Sequence, residues 1–169
     1  MPYPVPLAGQ IITPSLLTSL MPLDAIKTTD ESRASSATMA NDAELSIAVA
    51  ANAKYQLTGY VIYSQNLAAS ATTGIKIGWS GPTSATMLWT SGGTDGPTSL
   101  TGQDVTSQII SATRSLPSNL GTFMTAIPFG VLTTVGNSGT LNLQWAQVAS
   151  NATPTIMRAG SWIRLRRVA

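Results

Sequence analysis

Asp95 and Asp104 lie in a Gly-rich region, and a carboxylate pair is the one constellation in this chain that could carry acid–base hydrolysis. Loop aspartates more often close turns by bonding to their own backbone, and the rest of the sequence offers these two no help. Histidine and cysteine are both absent. That removes Ser-His-Asp and Cys-His nucleophiles, the usual general base near neutral pH, disulfides and the commonest zinc ligands. The stretch Ser91-Gly92-Gly93-Thr94-Asp95-Gly96 lacks the lysine and the strand-to-helix setting of a phosphate loop. Asn151-Ala152-Thr153 has the pattern of a glycosylation acceptor but, followed by Pro154, reads as a turn. No catalytic, cofactor-binding or metal-binding residue is expected, although scattered carboxylates could hold calcium between subunits without leaving a motif. The chain is read as non-enzymatic.

Aromatic and basic residues allow binding chemistry instead. Trp79, Trp89, Trp145 and Trp162 could form a sugar-binding platform, but Trp79 and Trp145 fall in phase with aliphatic neighbours, which favours packing in a core or subunit interface. The segment RAGSWIRLRRVA (158–169) holds four of the six arginines. Its alternation sends Ile163 and Leu165 one way and Trp162, Arg164 and Arg166 the other, so it reads as a strand with an inward apolar face and an outward basic one. A disordered arm for nucleic acid would lack that alternation. The net charge of +2 is a slight excess, with nine cations against seven acids. Five of those acids, Asp24, Asp30, Glu31, Asp42 and Glu44, fall in one stretch. The asymmetry points to contact between the acidic stretch and the C-terminal arginines, or between subunits, and no nucleic-acid partner is expected.

The elements that must position these residues follow from composition and periodicity. Hydrophobic residues make up 43% of the 169 and charged residues only 9%, against roughly 25% charged in ordinary soluble domains. A surface so poor in charge is weakly protected against association, which points to coverage by partner subunits. The first 23 residues carry no charged side chain, yet they lack the basic start of a signal peptide, and Pro2, Pro4, Pro6, Pro14 and Pro22 interrupt any membrane-length run. Thr13 can cap a short helix that Pro14 begins and Pro22 stops, with Leu16, Leu17 and Leu20 on one face. Together with Ile11 and Ile12 these form a candidate anchoring arm. From Glu44 onward the period is two: Leu45, Ile47 and Val49; Ile75, Ile77 and Trp79; Leu141, Leu143 and Trp145. Further strands are expected within 54–64, 85–90, 103–113, 122–134 and 161–168, separated by Gly- and Pro-rich turns. The expectation is an all-β antiparallel sandwich of about eight strands, jelly-roll-like, over residues 44–169, preceded by an arm and anchoring segment over 1–43.

The runs KTTDESRASSATMANDAELSIAVAANAKYQLTGYVIY, IGWSGPTSATMLW, PFGVL and GNSGTLNLQWAQVASNATPTIMRAGSWIRLRRV, with the lead LAGQIITPSLLTSLMP, resemble small virion proteins of tailed bacteriophages, especially those of actinobacteria. The resemblance spans nearly the whole chain and carries no catalytic motif. It implies a β-sandwich, commonly trimeric, on the virion surface as a capsid decoration or a tail-associated part. The implied partners are other copies of the chain and the major capsid protein or another virion protein, with no nucleic acid and no membrane. The protein would be made in the host cytoplasm and end in the virion. No heptads or short repeats build a fibre shaft, which favours the capsid over the tail. A minor tail or tail-tip module that binds host carbohydrate is the alternative.

Overall fold

A computed structural model describes residues 8–9, 11–14, 21–92 and 107–169, and the period-two segments of the sequence are its strands. In chain order these are β1 (Leu23–Ile26), β2 (Glu31–Arg33), β3 (Ala40–Val49), β4 (Lys54–Gln65), β5 (Ile75–Ser80), β6 (Thr86–Thr90), β7 (Gln108–Ile109), β8 (Arg114–Leu116), β9 (Met124–Ala126), β10 (Phe129–Thr133), β11 (Gly139–Gln147), β12 (Thr155–Met157) and β13 (Trp162–Arg167). Every pairing is antiparallel. The larger sheet runs β1-β13-β4-β10-β6-β7 with β2, β9 and β12 attached, and the smaller runs β3-β11-β5-β8.

A framework of eight strands emerges from this order. β1, β13, β4 and β10 lie side by side in one sheet and β3, β11, β5 and β8 in the other. The chain crosses between sheets at each step of that framework except from β5 to β8, which are neighbours. This is the connectivity of a jelly roll. β6 and β7, inserted between β5 and β8, extend the larger sheet beyond β10. The stretch expected as one strand over 122–134 is two, because Pro128 lacks the N–H that a continuous ladder needs.

The framework begins earlier than the sequence suggests. β1 pairs with β13 from Leu23↔Leu165 to Ile26↔Trp162, and β2 pairs with β12. Residues 24–43, read from sequence as an anchoring segment, therefore contribute two strands and the start of a third. The short helix expected after Thr13 falls mostly on 15–20, outside the described residues.

Alternation sets the core. Leu45, Ile47, Leu141, Leu143, Trp145, Ile75, Ile77 and Trp79 project from the smaller sheet, and Tyr55, Leu57, Val61, Trp89, Leu132, Ile163 and Leu165 from the larger, all buried. Trp79 and Trp89 close the gap between the sheets edge to face, 6.0 Å between ring centres at 82°, a favoured aromatic geometry.

Candidate functional site

The densest cluster of ionisable groups surrounds Lys27, which follows β1. Its ammonium is 1% exposed and donates to Asp42 Oδ1 and Oδ2 at 3.1 and 2.9 Å and to Glu31 Oε2 at 3.0 Å. Asp42 also accepts from the backbone N–H of Glu44 and of Leu45, both at 2.9 Å, and from Trp145 Nε1 at 3.1 Å. Glu31 Oε1 accepts two bonds from Arg33, whose guanidinium lies 4.0 Å from the centre of the Trp145 ring and donates to the carbonyl of Trp145. Burial alone would discharge Lys27, but its bonds to Asp42 and Glu31 outweigh that and raise its pKa. Glu31, partly buried, is likewise held below its usual range by Arg33 and Lys27. Each of these groups is bonded to others of the same network. The network ties the first two strands to β3 and β11.

Around it, the acidic stretch meets the C-terminal arginines within one chain. Arg164 grips Asp24 at 2.6 and 3.0 Å, and Arg158 and the Ala159 N–H both bond Asp30 at 2.8 Å. Glu44 accepts from the Thr29 hydroxyl and the Thr28 N–H and hydroxyl, which lower its pKa to about 2. Asp24 is lowered by Arg164, and Asp30 by Ala159 and Arg158. All four depressed carboxylates shift in one direction. Their contribution is present above the ordinary carboxylate range and is lost as protons bind. Thermal melts are expected to hold steady above about pH 5 and to fall progressively from there towards about pH 2. A melting temperature unchanged down to pH 2.5 would contradict this. Asp24 and Arg164 are both substantially exposed, so water screens their pair and it adds little to stability.

The two outer faces of the sandwich differ. On the smaller sheet the outward rows read Ser46–Asn142–Ser80 and Ala48–Thr140, with Gln144 opposite Asn41. These side chains bond one another: Asn142 Nδ2 to Ser80 Oγ at 3.2 Å, Ser80 Oγ to Asn41 Oδ1 at 3.2 Å, and Gln144 Nε2 to Asn41 Oδ1 at 2.9 Å. Hydroxyls and amides make most of this face water-compatible, and Lys76 adds one cation in the row Ala146–Lys76–Ser115. The larger sheet is different. One outward row reads Arg166–Gln56–Val131–Leu88–Ile109 across five strands, and the next reads Asp24–Arg164–Thr58–Phe129–Thr90. Val131, Leu88, Ile109 and Phe129 are 44%, 59%, 59% and 46% exposed. Leu88, Ile109 and Val131 line a groove of about 550 Å³ together with Lys54, Thr86 and Thr133.

Of the residues singled out by sequence, Trp79, Trp145, Ile163 and Leu165 lie in the chain's own interior. Trp162 is half-buried between Ile26 and Tyr60, with the Arg164 guanidinium 5.7 Å from its ring centre. Arg164 and Arg166 face solvent. Asp24, Ile26, Trp162 and Arg164 line a second hollow of about 190 Å³. Ile11 and Ile12 are 83% and 68% exposed, whereas Leu16, Leu17, Leu20, Asp95 and Asp104 lie outside the described residues. Asn151-Ala152-Thr153 is a turn in which the Thr153 N–H bonds the Asn151 side chain at 2.8 Å. The apolar face of β10, β6 and β7 did not stand out in the sequence. Its signal is the loss of alternation in Met87-Leu88-Trp89 and Val131-Leu132, runs apolar on both sides of a strand, as in strands covered on both faces.

Among the described residues no group of three or more carboxylates is placed to hold a metal, and no helix is long and apolar enough to cross a membrane. No family model matches the sequence, and no curated protein does. The fold is similar to a chain in the structure of infectious bursal disease virus, Gx strain, at 14% identity and a TM-score of 0.26, covering 88% of this chain and 36% of that one. A chain of the Gt strain is similar at 13% identity and a TM-score of 0.22, covering 87% and 41%. This chain thus spans well under half the length of either viral chain.

Proposed function

We propose that this protein is a non-enzymatic structural subunit of a phage virion, a homotrimer that decorates the outside of the capsid. The observation that carries the reading is the contrast between the two outer faces: one polar and self-bonded, the other bearing an exposed apolar strip. A domain with one sheet built for water and the other for contact is suited to sitting in an assembly. The sequence resemblance to phage virion proteins points the same way. The arm before β1, with Ile11 and Ile12 exposed, is the anchor to the shell, and the major capsid protein is its partner. The charged groups around Lys27 are bonded to one another, which supports a structural role for them.

A minor tail or tail-tip module is the second reading. The hollow at Trp162 favours it, because an aromatic ring beside a carboxylate and a guanidinium is suited to sugar hydroxyls. Quantitative gel analysis of purified virions separates the two. A decoration protein is expected in numbers that follow the shell subunits, whereas a copy number matching a single ring of the tail would sink the capsid reading.

A further inference from the structure

We infer that the apolar strip on the outer face of β10, β6 and β7 is the surface on which a second copy of this chain docks. This rests on the trimeric reading above and says which surface makes the trimer. The strip is not a scatter of single residues. Pairing places Val131 beside Leu88 and Leu88 beside Ile109, and Phe129 follows two residues before Val131 on the same side of β10.

Size argues for a full protein interface. The four side chains each leave about half their surface in water, roughly 400 Å² of apolar area together. A standard interface buries about 800 Å² on each partner, a little over half of it apolar. The strip therefore supplies the apolar part of one interface of that size. Lys54, Gln56, Thr86, Thr133 and Arg166 sit beside it as polar margin, the arrangement of apolar centre and polar rim found at protein contacts.

Low charge permits a like partner. Among the described residues the centre of the strip is uncharged, and the cations Lys54 and Arg166 stand at its margin, clear of the apolar contact itself. Every copy carries the same strip, and a chain with 9% charged residues has little repulsion to keep copies apart. Strips meeting around a three-fold axis close the contact and leave no apolar surface to propagate it. β6 and β7 are additions to the eight-strand framework, and the core is complete without the outward side chains of Leu88 and Ile109. Among the described residues nothing covers them, so their apolar character is left for a contact beyond the core.

The test is the solution mass by light scattering of the full chain, of Leu88→Glu and Ile109→Glu, and of Ser46→Glu on the outer face of the smaller sheet as control. The wild type and Ser46→Glu are expected at three times 17.6 kDa, and the two strip variants at a third of that mass. Tryptophan emission should stay blue-shifted in all four, since Trp79, Trp89 and Trp145 are buried. If Leu88→Glu unfolds, Ile109→Glu at the sheet edge decides. A folded strip variant that keeps the wild-type mass overturns this interface and leaves the structural reading standing. A monomeric wild type overturns the interface and the trimer with it.

Discussion

Replacing Asp42 with alanine is expected to destabilise the fold by about 3–5 kcal/mol and to lower the melting temperature by on the order of 10 °C. The carboxylate is buried, and four donors converge on it: the Lys27 ammonium, the N–H of Glu44, the N–H of Leu45 and the Trp145 indole. Removing it leaves a lysine that is 1% exposed with only the partly exposed Glu31 for a counter-ion. The penalty comes chiefly from stranding a charge, so it should be non-additive. A Lys27→Met/Asp42→Asn double variant, in which both charges are gone and an acceptor oxygen remains for the backbone donors, is expected to lose less than the Lys27→Met and Asp42→Asn single variants combined. Urea denaturation of these three proteins and the wild type measures this. A loss below about 1 kcal/mol in Asp42→Ala would mean that water reaches the pair.

Gly74→Ala is expected to be of comparable size, on the order of 4 kcal/mol, for a different reason. Gly74 precedes β5 with φ at +111°, and a Cβ there would lie 2.0 Å from the Leu116 carbonyl oxygen and 2.7 Å from the Pro117 carbonyl carbon. Both obstacles are backbone of the β8 region, which cannot turn aside as a side chain does. The same residue donates its N–H to Gln65 Oε1 at 2.6 Å and accepts from the Thr155 hydroxyl at 3.2 Å. Displacing it therefore disturbs both sheets. Gly136→Ala, where an added Cβ meets nothing within 4 Å, is the matched control and should change stability by less than about 0.5 kcal/mol. Thermal melts of the two variants give the comparison, and equal melting temperatures would contradict the steric account.

Much of the framework was legible because alternation is a local property. Ile163 and Leu165 point inward with Arg164 and Arg166 outward, as the spacing required, and Leu141, Leu143 and Trp145 share the buried side of one strand, β11. The contact between the acidic stretch and the C-terminal arginines was legible too, as Arg164 on Asp24 and Arg158 on Asp30. β1 and β2 were not. Three- and four-residue strands carry too few positions for a period to show, and Leu23–Ile26 is a strand only because β13 offers it an edge.

Composition and period two alone determined an all-β sandwich with a neutral, hydroxyl-rich surface, without histidine or cysteine chemistry, and ending in a strand whose arginines face outward. Tertiary structure decided which apolar residues stayed outside. In Met87-Leu88-Trp89 both faces are apolar, so alternation cannot say which one is buried. Only the pairing of β6 with β10 and β7 turns Met87 and Trp89 to the core and aligns Leu88 with Val131 and Ile109. Lys27, beside a run of acids, reads in one dimension as an ordinary surface lysine. It is buried because the first two strands fold against β3 and β11, and a lysine can be held there only where the carboxylates of Glu31, four residues on, and Asp42, fifteen residues on, are brought together on it.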